Sequence, residues 1–190
     1  MKNAVLIIAA FLLLLVGCPN PHHPSEPHIQ KTILFNPRAF TTSQIDAIHS
    51  AAREWETKTN FIVRFDIHDY HDQPLQVNEV AIFNVPLDFP VITAREIELH
   101  QNGMPSTEHI LGLYKDRIIY TISAKMPGLG SYRPVIIHEL GHMLGLNHIN
   151  DAYSVMNESF DRAADHITVA DQVLFCKLYG CDPVRLSMGD

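Results

Sequence analysis

The sequence predicts an α+β domain built on a mixed β-sheet, and three observations predict it. Short apolar or alternating runs that read as strands recur up to about residue 123. An amphipathic helical pattern over residues 41–60 separates the first two of these runs. Two further helical segments, at about 134–144 and 168–179, follow the last strand. The 190 residues are 46% hydrophobic, which suits one globular domain with a real core and argues against disorder. A net charge of −7 offers no basic face, so no nucleic-acid partner is expected, and a monomer is.

The first residues stand outside that domain. A short positive opening, Met1-Lys2-Asn3, leads into the apolar run 4–16, too short to span a bilayer and suited to the core of a signal peptide. The run ends in Leu15-Val16-Gly17-Cys18, which resembles the bacterial lipobox. That resemblance implies a leader over residues 1–17 and a lipid on Cys18, which would anchor the chain to the membrane surface of the cell envelope. Four prolines within residues 19–28 favour an extended spacer, so residues 18–30 are expected to tether a domain spanning 31–190. His22, His23 and His28 read as polar linker residues.

Within the domain, residues 31–37 read as a strand. Thr41 or Thr42 is placed to cap a helix in which Ile45, Ile48, Ala52 and Trp55 recur at helical spacing. Residues 61–67 alternate as a strand should, and 77–85 are a further strand. The stretch 86–106 has no clean period; its 96–100 portion reads as a short strand or an irregular loop. Residues 109–114 and 117–123 flank Lys115-Asp116 as a hairpin. A Pro/Gly-rich loop follows, and Pro134 suits the first position of a helix that Gly145 ends. Thr168 caps the last helix and Gly180 stops it. With Gly180 left-handed, Cys176 and Cys181 fall at the two positions that touch in a Schellman motif. With Cys18 acylated they are the remaining pair in an exported protein, so a disulfide is expected.

The chemistry concentrates in His138-Glu139-Leu140-Gly141-His142-Met143-Leu144-Gly145-Leu146-Asn147-His148. His138 and His142 are four apart, so on a helix they project from one face and reach one tetrahedral zinc ion. Gly145 lets the chain turn sharply and return His148 as a third ligand. Three neutral ligands leave the fourth zinc position open to water, the mark of a catalytic rather than a structural site. Glu139 reaches such a water rather than the metal and is the natural general base. From the chain's own frequencies, five residues fixed in this way arise by chance about once in ten thousand chains. A metal-free core helix would have to bury Glu139 and the histidines uncompensated, which is costly.

The segment matches the H-E-x-x-H-x-x-G-x-x-H signature of the metzincin metalloproteases. Ser154-Val155-Met156-Asn157 resembles the family's Met-turn, with Met156 as a floor beneath the three histidines. The order of elements is similar to the matrixins over most of residues 32–180. The resemblance implies a metzincin-like zincin fold: a twisted mixed sheet with an N-terminal helix, a catalytic helix, the Met-turn and a C-terminal helix. It also implies a zinc endopeptidase with one catalytic Zn2+ and a polypeptide substrate lying extended along an edge strand. That strand is placed at 109–114, with Ile110, Leu111, Gly112 and Leu113 as the binding residues.

Several family features are missing. The Pro-x-Tyr segment after the Met-turn is absent, Ile149 replaces the matrixin serine, and no pro-domain fits between Cys18 and Ile29. Residues 66–73 are a candidate for a second, structural Zn2+ or Ca2+, but a solvated polar loop fits them better. The same zinc chemistry would also serve an amidase acting on cell-wall peptide. A non-catalytic surface-binding lipoprotein is the other alternative, although neither a ligand nor the base is missing.

Overall fold

A computed structural model describes residues 28–86, 88–101, 111–122, 126, 129–158 and 164–187. Cys18 with its leader and tether up to residue 27, and Ile110 of the expected edge strand, lie outside the described residues. Among the described residues, no helix is long and apolar enough to cross a membrane.

Five strands form one mixed sheet in the order β2-β1-β3-β5-β4. They are β1 (Ile29–Phe35), β2 (Val63–Asp69), β3 (Glu79–Asn84), β4 (Gly112–Lys115) and β5 (Ile118–Thr121). The first four in spatial order run parallel, β1 pairing with both β2 and β3, and β3 with β5. β4 pairs antiparallel with β5 and forms an outer edge. The α+β expectation with a mixed sheet therefore holds. The tight link between β4 and β5 comes from Asp116 and Arg117, at φ +53° and +66°. Positive φ at both central residues gives a hairpin the twist of its strands.

Helix α1 (Thr42–Lys58) makes the crossover from β1 to β2. Thr41 caps it: its Oγ1 accepts from the Gln44 amide at 3.3 Å while the Gln44 side chain accepts from the Thr41 amide at 2.8 Å. Asn60 and Phe61 both have positive φ, so β2 begins at Val63, two residues later than the alternation predicts. Helix α3 (Leu129–Met143) packs beside α1, and the Trp55 indole donates to the Ile137 carbonyl at 2.9 Å. Around Trp55 the main core gathers Ile33, Ile48, Ile82, Ile119, Ile136, Leu140 and Phe175. Side chains alternate along a strand, so Phe83 and Tyr120 leave this core for a second cluster with Val85, Ile92, Ile122 and Leu113.

Three sequence expectations need correction. Residues 90–101 are neither strand nor loop but helix α2 (Pro90–Gln101), with proline in the first position, where its missing N–H costs nothing. Among the described side chains of α2 only Ile92 is fully buried, and its sequence shows no clear apolar period. α3 starts at Leu129 rather than Pro134, which lies inside it. Tyr132, buried with its hydroxyl 3.3 Å from Thr121 Oγ1, and Arg133, paired with Glu54, hold the turn before the proline helical. The helix α4 (Val169–Tyr179) ends at Gly180, φ +72°, by a single bond from the Gly180 amide to the Cys176 carbonyl. That is the simpler αL stop rather than the Schellman motif. Cys176 and Cys181 are joined by a disulfide across it. A short helix α5 (Pro183–Ser187), not expected from the sequence, follows.

Candidate metal centre

His138, Glu139 and His142 stand on the last two turns of α3. The helix then stops in a Schellman motif: Leu146 N–H donates to Gly141 C=O at 3.0 Å, and Gly145 N–H to His142 C=O at 2.9 Å. Gly145 takes φ +83°, a conformation glycine enters freely, and this turn brings His148 back over the helix face.

The three Nε2 atoms converge, 3.1 Å apart between His138 and His142, 3.2 Å between His138 and His148, and 3.0 Å between His142 and His148. Three tetrahedral Zn–N bonds of about 2.05 Å require nitrogen separations of about 3.3 Å. Two of the rings are also oriented from behind. His138 Nδ1 donates to the Val155 carbonyl at 2.6 Å, and His142 Nδ1 to the Leu146 carbonyl at 2.9 Å. With the proton on Nδ1, each Nε2 turns a lone pair inward. Facing lone pairs repel one another, and a cation between them removes the repulsion. Burial, reinforced by the neighbouring His142, pushes the His138 imidazole down to about 3; His142 and His148 are lowered too, first by burial. All three are thus held in the neutral form that binds metal. They fit one catalytic zinc ion and are the only cluster placed to hold a metal among the described residues. Residues 66–73 form no second one; Asp66 accepts a hydrogen bond from Gln30 at 2.8 Å.

Glu139 is 4% exposed. Burial raises its carboxyl to about 8, opposed by a hydrogen bond from the Tyr114 amide of β4. Its Oε2 has no hydrogen-bond partner, an orphaned acceptor that a reacting water would satisfy. β4 touches it directly: a Cβ on Gly112 would fall 2.6 Å from Glu139 Oε1. Leu111 C=O pairs inward with Ile122 N–H at 3.0 Å, so alternation turns the Gly112 backbone groups to the open edge. Leu113 instead packs into the second cluster with Ile92.

Met156 is fully buried under the helix, and a Cβ on Gly141 would fall 2.3 Å from its Sδ. The Met-turn is itself held by Asp171 of α4, which is fully buried. Its carboxylate accepts from Ser154 Oγ at 2.5 Å, Val155 N–H at 3.2 Å and Thr168 N–H at 2.8 Å. The sequence reading placed Gly112 on the substrate-binding edge strand but not against Glu139, and it missed Asp171. Thr168-x-x-Asp171 has the form of a capping box and is the signal that would have drawn notice to it.

No curated protein matches the chain in sequence. Among solved structures it is similar to archaemetzincin from Methanopyrus kandleri, with TM-score 0.52 and 15% identity over 82% of this chain and 97% of that one. It also matches a zinc-dependent peptidase from Methanocorpusculum labreanum (TM-score 0.43, 11% identity, 76% and 98% covered). A third match is metalloproteinase-II from Bacteroides fragilis (TM-score 0.40, 13% identity, 80% and 53% covered). The first of these shares the fold. The matrixin family model matches residues 28–180, most of the chain and all of the site described above. The chain therefore belongs to the matrixin family of zinc metallopeptidases.

Proposed function

We propose that the protein is a zinc endopeptidase in which Glu139 is the general base and the substrate backbone pairs with β4. One observation carries this reading: three Nε2 atoms within 3.2 Å of one another stand beside a buried carboxylate with an unpartnered oxygen. His138, His142 and His148 would hold the zinc. When bound, the metal supplies a Lewis acid that polarises a carbonyl and makes water acidic. Glu139 takes the proton that the attacking water releases and returns it to the leaving nitrogen. Burial pushes the carboxyl above the usual carboxylate range, and the positive charge of a bound zinc would oppose that shift and favour the ionised form that accepts a proton. The outward backbone of Gly112, with Leu111 and Leu113 on either side, offers an extended peptide a strand to pair with, beside Glu139.

The test compares zinc-loaded parent with Glu139→Gln on an unfolded protein mixture, checking zinc content and secondary structure in both. We expect the variant to stay folded and zinc-bound and to lose about 100- to 10,000-fold in rate. Equal cleavage by both would remove Glu139 from the mechanism. Silence from a zinc-loaded parent on every polypeptide would remove the endopeptidase reading.

The apolar run 4–16 ending at Cys18 supports a second part of the proposal, that a lipid on Cys18 tethers the domain to the cell envelope. Cys18→Ala should then move the protein from the membrane fraction to the soluble one, and an unchanged distribution would refute the anchor.

A further inference from the structure

The last turn of α4 presses on the turn that carries the third histidine. The two Schellman bonds at the end of α3 occupy the carbonyls of Gly141 and His142, and neither reaches that of Leu144. An outside donor serves it instead. The Tyr179 hydroxyl donates to the Leu144 carbonyl at 2.8 Å, across 35 residues of chain, and Leu144 is fully buried. One residue further on, Leu178 Cδ2 lies 3.2 Å from the point where a Cβ on Gly145 would fall. The end of α4 therefore meets both Leu144 and the left-handed Gly145.

The chain beyond Gly145 serves the metal site directly. The Leu146 carbonyl orients the His142 ring at 2.9 Å, and His148 comes two residues later. Just past His148, the Ile149 amide donates to the Met156 carbonyl at 3.0 Å. The backbone from 144 to 149 is thus clamped at both ends, by Tyr179 before His148 and by the Met-turn after it. Helix ends open more readily than helix centres, so a clamp on the last residue of α4 needs a lock. Two contacts supply one. The Tyr179 ring lies against that of fully buried Phe175, 4.7 Å between centroids. The Cys176–Cys181 disulfide closes around Tyr179 and Gly180, tying the last turn of α4 to the chain beyond its stop.

We infer that Tyr179 is a positioning residue for the zinc site: its hydroxyl fixes the turn that orients His142 and delivers His148, and the Cys176–Cys181 disulfide keeps that hydroxyl in place. The disulfide then acts on the metal site without touching it. The inference rests on the zinc reading of the three histidines and is independent of the substrate and of the bond cleaved.

The test is a double-mutant cycle on metal affinity in the full chain. Tyr179→Phe removes the hydroxyl and keeps the ring against Phe175, while Cys176→Ala with Cys181→Ala removes the lock. Circular dichroism checks the fold of each metal-free form, and competition with a chromophoric chelator gives the zinc affinity. Visible absorption of the cobalt(II)-loaded protein reports ligand geometry, which a loss of stability alone would not alter. We expect Tyr179→Phe to stay folded, to shift the cobalt spectrum and to bind zinc about tenfold more weakly, the lower end of what lost supporting bonds cost a metal site. The cysteine pair should weaken zinc binding too, but by no more than about twofold when added to Tyr179→Phe, because both act through one hydroxyl. Parental zinc affinity and cobalt spectrum in a folded Tyr179→Phe would overturn the inference. So would a Tyr179→Phe chain that does not fold, since the hydroxyl would then serve the fold as a whole. Losses that multiply in the combined variant would remove the disulfide from the inference, and the Tyr179→Phe result decides the rest even where the cysteine variant fails to fold. A folded parent that binds neither zinc nor cobalt would sink the zinc reading itself, whereas a zinc-binding parent indifferent to Tyr179→Phe sinks this inference alone.

Discussion

Removing the Asp171 carboxylate should damage the metal centre from a distance. Asp171 touches no ligand, yet it accepts hydrogen bonds from Ser154 Oγ and Val155 N–H, and the Val155 carbonyl receives the proton of His138 Nδ1. Asp171→Ala strips partners from Ser154 and Val155, which are 0% and 1% exposed, while half-buried Thr168 remains within reach of water. Two buried donors left unpaired cost about 1–3 kcal/mol each, so the loss should be about 2–6 kcal/mol, a large part of a typical domain's stability. Asp171→Asn is gentler: one oxygen can still serve Val155 and Thr168, but its NH2 meets the Ser154 hydroxyl, for about 1–3 kcal/mol.

The Asn variant is the informative one because it should still fold. A shifted Val155 carbonyl loosens the His138 ring, and losses of such supporting bonds typically weaken metal affinity about 10- to 100-fold. Denaturant unfolding followed by Trp55, the single tryptophan, gives the stability, and competition with a chromophoric chelator gives the zinc affinity. A folded Asp171→Asn with parental zinc affinity would show that the Met-turn holds His138 without help from α4.

Two further substitutions separate the parts of the molecule. Gly141→Ala puts a Cβ 2.3 Å from Met156 Sδ and 3.3 Å from Trp55 Cζ2, and overpacking of this kind should cost about 1–3 kcal/mol in thermal or denaturant unfolding; a stabilised variant would mean that Met156 is not fixed beneath the helix. Ile92→Ala empties the anchor of α2 in a cluster that holds three buried residues among those described, so it should loosen α2 locally. Peptide affinity should fall while zinc affinity, measured by the same chelator competition, stays within about twofold, and parallel loss of both would refute the separation.

How much could be read from the sequence depends on how local each constraint is. His138 and His142 share a helix face by arithmetic, and Gly145 closes a Schellman turn within six residues, so the metal cluster was written in one contiguous segment. The β4–β5 hairpin, the Thr41 cap and the Gly180 stop were legible for the same reason, although the turn lies at Asp116-Arg117, one residue beyond the expected Lys115-Asp116. Helix α2 was not, because its sequence shows no clear apolar period and its residues 96–100 alternate like a strand. Pro134 misled in the opposite direction: a strong local start signal was overridden by the distant partners of Tyr132 and Arg133. The contact of Gly112 with Glu139 and the support that Asp171 gives Val155 join residues far apart in the chain, and no spacing rule reaches that far.

The same division runs through the packing. The supports of the metal centre lie in and around the main core: Trp55 donating to the α3 carbonyl, Met156 beneath Gly141, and Arg133 bridging Glu54 and the Asp165 carbonyl. α2 and the outward side of β4 rest on the second cluster, across the sheet. Gly112 and the Tyr114 amide join the two at Glu139. A fold arranged in this way can keep the three histidines and the base fixed while the packing of α2 on the other face of the sheet varies, because side chains on opposite faces of a sheet repack independently unless a shared residue couples them.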